Sequence, residues 1–140
     1  MKILGHPVHA MLIHFPVALW TTHAFLHAFA GRLPAGDAAV SGFWILAAGT
    51  GLGWAAACFG AADLLDIAAG GGKRLRTGLL HGAVNGSVLC GFTAILVLEY
   101  SRYPAIAHGW GFLSLEFGLL GAMGVGNALG GSLVWPREGA

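Results

Sequence analysis

Four long stretches without a single Asp, Glu, Lys or Arg constrain this chain more than any other feature. They are Ile3–Gly31, Ala38–Ala62, Thr77–Leu98 and the run between Arg102 and Arg137, the last broken only by Glu116. Each exceeds the roughly 20 residues needed to cross a hydrocarbon core. A backbone in lipid must satisfy its own hydrogen bonds, so each stretch is expected to be helical. Charged residues make up only 9% of the chain, against about 25% in a soluble domain. That is too few to cover a water-facing surface. The expected fold is all-α: an integral membrane four-helix bundle forming one domain over residues 1–140. The expected helices cover about 7–31, 39–65, 78–99 and 109–135.

Charge placement predicts an orientation. With four spans, Lys2, Lys73, Arg74, Arg76 and Arg137 share one side, and Arg32 and Arg102 the other. Excess Lys and Arg mark the cytoplasmic side, so both termini are expected in the cytoplasm. The first apolar run carries five histidines and two prolines and lacks a small-residue cleavage pattern. It is expected to stay as a span rather than be removed as a signal peptide. No basic stripe suits nucleic acid. The expected partners are the lipid bilayer, a membrane redox complex, or a second copy packed through glycine-rich faces.

Local signals refine the spans. Pro7 suits a first helical turn. Pro16 lies inside the first span and should kink it, releasing the carbonyl near Leu12. Asp66–Thr77, with Gly70-Gly71-Gly72 and the basic triplet, is expected to be a polar loop. Gly78, Gly82 and Gly86 recur every fourth residue, Gly118, Gly121 and Gly124 every third, and Gly126 pairs with Gly130. Such spacings let helices approach closely in lipid; alternatively, a glycine face accommodates a flat cofactor. Cys58 and Cys90 fall inside helices and read as small packing residues rather than a disulfide or metal pair.

Seven histidines stand among only seven basic and six acidic residues. Titratable groups in a bilayer are costly and face the bundle interior. Alternating topology places His6, His9 and His14 of the first span, Asp63 near the end of the second, and His81 with Asn85 at the start of the third at one depth. Helical phase, at roughly 100° per residue, puts His9, Pro16, His23 and His27 on one face and His14 nearly opposite. His23 and His27 sit toward the other side of the membrane, where they can meet His108, Glu99 or Glu116.

Imidazoles in a bundle suit three tasks: axial ligation of haem iron, transition-metal binding and proton relay. A bis-histidine haem b needs two imidazoles on different helices at equal depth. His81 meets that need, with His9 or His14 opposite and His6, Asp63 and Asn85 around them. A bare metal ion would use His9, His14 and His81. The plain alternative is that each histidine only hydrogen-bonds a backbone carbonyl. No nucleophile–base pair or phosphate-cradling loop points to catalysis.

The segment Gly5-His6-Pro7-Val8-His9-Ala10-Met11-Leu12-Ile13-His14-Phe15-Pro16 resembles the His-Pro-x-His…His-Phe-Pro signature of a bacterial membrane-protein family, the domain of unknown function numbered 2231. Gly60-Ala61-Ala62-Asp63, Leu80-His81 with Asn85, and Gly130-Gly131-Ser132-Leu133-Val134-Trp135 are similar to its later motifs, in the same order. The chain departs at Pro136-Arg137-Glu138-Gly139, where relatives carry a His- and Gly-rich tail. The resemblance implies four helices in the bacterial inner membrane and brings no activity. Relatives joined to Rieske-type or cytochrome c-type domains imply a redox setting. Together these readings point to a small b-type cytochrome-like subunit. The alternatives are a non-catalytic accessory subunit and a histidine-based metal or proton translocator.

Overall fold

A computed structural model of the protein describes residues 2–3, 6–32, 37–103 and 109–134. The chain enters through two short antiparallel segments, β1 (Lys2–Ile3) and β2 (His6–Pro7). Helices α1 (Val8–Leu12), α2 (His14–Ala28), α3 (Asp37–Ala68), α4 (Gly72–Tyr100) and α5 (Trp110–Val134) follow, with a 3₁₀ turn at Ala30–Arg32. Counting α1 and α2 as one interrupted helix, this is the expected all-helical four-helix bundle. Among the described residues, three helices are long and apolar enough to cross a membrane: Ala39–Ala68, Gly72–Tyr100 and Trp110–Leu133.

The interruption in the first helix has a local cause. The Ile13 amide donates to the His9 carbonyl at 3.1 Å and the Val17 amide to the Ile13 carbonyl at 3.3 Å. Ile13 itself keeps helical dihedrals. What is lost is the bond from residue 16 to Leu12, because proline has no N–H. The helical path therefore continues across a single missing hydrogen bond. Together, α1 and α2 are long enough to span about 30 Å at 1.5 Å per residue.

The expected polar loop after the second span is much shorter in the structure. The α3 helix runs on to Ala68 and α4 already starts at Gly72, so Lys73, Arg74 and Arg76 lie in its first turns. Gly71 and Gly72 take φ of 61° and 69°, a conformation open to glycine, and reverse the chain within a few residues. Lys and Arg are good helix formers and can extend their charges from a helix end to the headgroups. The Arg74 guanidinium donates to the Leu133 carbonyl at 3.4 Å, tying the start of α4 to the end of α5.

The helices pack in a closed ring: α2 on α3, α3 on α4, α4 on α5, and α5 back on α2. At its centre are Trp20, Leu46, Val88, Leu89, Phe92, Ile95 and Met123. Trp20 lies flat on Phe92, with ring centres 4.5 Å apart and planes 8° from parallel. Its indole N–H donates to the Thr50 hydroxyl at 3.3 Å, satisfying the one polar atom it brings into the core.

Glycine sets the closeness of this packing, but not along every expected stripe. A Cβ on Gly49 would come within 3.0 Å of Leu19, one on Gly53 within 2.9 Å of Leu89, and one on Gly91 within 2.7 Å of Leu119. Gly78 meets Leu64 in the same way. Added Cβ atoms on Gly82, Gly86, Gly118, Gly121 and Gly124 would instead meet nothing within 4 Å. Those five positions face outward or into open space. Cys58 and Cys90 are free thiols on the exposed side of the helices and form no disulfide.

Candidate functional sites at two levels of the bundle

The first group of polar side chains sits where the chain enters the bundle. The α1 helix supplies His9, whose Nδ1 is 2.7 Å from the Ala56 carbonyl of α3. The α4 helix supplies His81, whose Nδ1 is 2.8 Å from the Gly126 carbonyl of α5. A carbonyl can only accept, so each Nδ1 carries a proton, and in the neutral ring Nε2 keeps its lone pair. The two rings lie edge to face, with centres 5.9 Å apart and planes 86° from parallel.

One local device seats both rings. A helical carbonyl at position i points toward residue i+4, where a side chain would normally shield it. Here the i+4 residues are Gly60 above Ala56 and Gly130 above Gly126. A Cβ on Gly60 would come within 2.8 Å of the His9 ring, and one on Gly130 within 2.6 Å of the His81 ring. Each imidazole therefore lies in a notch that a glycine leaves open. This explains the Gly126–Gly130 pair better than helix-on-helix contact does, because a histidine fills the gap. A Cβ on Gly126 would run into the Asn85 amide. That amide nitrogen lies 3.1 Å from the His81 Nδ1. The single Nδ1 proton goes to the closer Gly126 carbonyl, and Asn85 packs beside the ring.

The other residues singled out at this level are placed as follows. His14 is exposed. Asp63 is half-buried on α3, three residues beyond Gly60. The His6 backbone belongs to β2, but its side chain lies outside the described residues.

The second group lies at the opposite end of the bundle. His23 and His27 stand one turn apart on α2, with ring centres 3.9 Å apart. Glu99 comes from the last turn of α4 and Glu116 from the second turn of α5. The His23 Nδ1 donates to the Gly42 carbonyl of α3 at 3.0 Å. Its Nε2 lies 3.3 Å from Glu99 and 3.2 Å from Glu116. The His27 Nδ1 meets Glu116 at 2.8 Å, and its Nε2 lies 3.4 Å from Glu99. All four main helices thus contribute to one dry cluster. His23 and Glu116 are completely buried and Glu99 nearly so.

The sequence already set His23 and His27 on one face, with Glu99 and Glu116 within possible reach. Their assembly into a single cluster depends on how α4 and α5 are rotated, which no spacing in the sequence reports. The available signals were the i, i+4 histidine pair and the rarity of carboxylates inside apolar spans. His108, the other residue considered at this level, lies outside the described residues.

A family model described as predicted membrane protein (DUF2231) matches residues 5–139. No curated protein matches the chain, and no solved structure does.

Proposed function

This chain belongs to the DUF2231 family of predicted membrane proteins, and from that premise we propose that it is a small b-type cytochrome-like subunit, with His9 and His81 as the axial ligands of one haem. The observation that carries this reading is the close pair of imidazoles from separate helices. Both would have to reach one iron. The His9 and His81 centres are 5.9 Å apart.

The tethering of the rings supports the same reading. Both Nδ1 atoms are engaged by backbone carbonyls, which leaves Nε2 as the donor atom. Such an outer hydrogen bond fixes a ligand's tautomer and raises its basicity. The ligands come from separate helices, so a bound group would bridge α1 and α4. Haem, when bound, supplies a one-electron couple. His9 and His81 of this chain would hold it.

The charge distribution favours both termini in the cytoplasm, and the family resemblance implies a bacterial inner membrane location. His14 has no part in this arrangement, because it is exposed. The test is an absorption spectrum of protein purified in detergent after expression with ample haem. A Soret band with low-spin character is expected, with His81→Ala abolishing it and His14→Ala leaving it intact. Absence of the band from the wild-type protein would sink the assignment.

A second reading concerns assembly and rests on the open glycines of α5. A Cβ on Gly118, Gly121 or Gly124 would meet nothing within 4 Å among the described residues, and small residues are what lipid-embedded helices use to approach one another. On this reading α5 packs against a partner subunit or a second copy. A stoichiometric companion should survive solubilisation in a mild detergent. A clean monomer would count against it.

A further inference from the structure

The cluster of His23, His27, Glu99 and Glu116 has no role in the haem reading. We propose that these four residues form a four-coordinate site for a single divalent transition-metal ion. One ligand atom from each residue can be chosen so that all lie within 4.8 Å of one another. Ligand atoms about 2.0–2.1 Å from a tetrahedral centre stand about 3.3 Å apart. The observed separations of the His23 Nε2 from Glu99 and Glu116, and of the His27 Nε2 from Glu99, are 3.3, 3.2 and 3.4 Å. The side chains already occupy three edges of such a tetrahedron.

Hydrogen bonding prepares the same atoms. The Gly42 carbonyl takes the proton on the His23 Nδ1, leaving Nε2 directed at the carboxylates. The His23 Nε2 and the Glu116 Oε2 make no hydrogen bond within the described residues, although both side chains are fully buried. Buried polar atoms are normally satisfied, and a cation between them would satisfy both.

Charge points the same way. Two buried carboxylates need balancing positive charge in a dry site. A divalent ion cancels both. Without one, protons must balance the cluster, either on the imidazoles or on the carboxyl groups. The mixed nitrogen and oxygen donor set, with no thiolate, suits zinc or iron(II) rather than a soft ion or calcium.

The site is tested on full-length protein in detergent, stripped with a chelator and titrated with cobalt(II), then with zinc(II). Tetrahedral cobalt(II) absorbs far more strongly in the visible than octahedral cobalt(II), so the spectrum reports coordination directly. One ion per chain with tetrahedral bands is expected, together with a zinc-dependent rise in the thermal unfolding temperature. Glu116→Gln and His23→Gln should each weaken cobalt binding at least roughly tenfold, in line with the cost of disturbing metal sites. The exposed His14→Gln should bind as the wild type does. Wild-type protein that gives only octahedral bands and no zinc stabilisation would overturn the site, whatever the variants do. So would undiminished binding in the folded Glu116→Gln, His23→Gln double variant. The Soret band is read in the same samples. Metal binding without haem would defeat the cytochrome reading alone, and haem without metal would defeat this one alone.

Discussion

Replacing Gly53 with Leu is expected to prevent the bundle from closing, whereas the same change at Gly82 should leave it folded. Both are glycines in long apolar helices, and hydropathy does not distinguish them. A Cβ on Gly53 would already sit 2.9 Å from Leu89 and 3.1 Å from Trp20. Leucine adds three more carbons to that wedge. Trp20 has nowhere to retreat, because its other face is stacked on Phe92. Overpacking in a closed core costs about 1–3 kcal/mol or more. Here it would separate α3 from both α2 and α4. At Gly82 a Cβ meets nothing within 4 Å, so the leucine points into open space. Unfolding in a detergent series, followed by tryptophan fluorescence, should show Gly53→Leu unfolded under conditions where Gly82→Leu matches the wild type. Equal stabilities would show that Gly53 does not set the helix spacing.

Phe92→Ala is the second change expected to have a large effect, at about 3 kcal/mol or more of lost stability, the usual range for emptying an aromatic site in a core. Phe92 is fully buried and supports Trp20 from below. Lipid is as apolar as the bundle interior, so the loss comes from packing rather than from transfer out of water. Removing the ring also frees Trp20 to tilt, which strains its bond to Thr50. Reversible unfolding with increasing denaturing detergent should show the midpoint fall well below that of the wild type. A conservative Phe92→Leu should recover most of the loss. A Phe92→Ala protein as stable as the wild type would mean that the stacked pair contributes little.

Both changes act midway between the two polar clusters, and that position matters for function. Trp20 is three residues from His23 on α2, and Phe92 lies between His81 and Glu99 on α4. A defect at this layer would reach both sites through the helices that carry them. The haem and metal assays are therefore best made with His81, Glu116 and His23 variants, which leave the Trp20–Phe92 layer intact.

The sequence by itself determined the helices, their depth order and the phase of residues along each one. Four long stretches nearly free of charge are expected to be helices in lipid. Alternation along four spans brings His9 and His81 to one level and sends His23, His27, Glu99 and Glu116 to the other. A 100° step per residue turns His14 away from His9, and a missing amide at Pro16 breaks the first helix. These properties are local to one helix or follow from counting crossings.

Tertiary structure decided the rotation of each helix about its own axis and the partner each face meets. Gly126 and Gly130 look like a helix-packing pair until α4 is placed, when they become the notch that receives His81. Gly82 and Gly86 share the spacing of Gly78 but meet no neighbour. Glu99 and Glu116 read as separate intramembrane acids until α4 and α5 turn both toward α2. In lipid no difference in hydrophobicity selects the inner face. Close contact and hydrogen bonding between helices select it, and those belong to pairs of helices rather than to any one stretch of sequence.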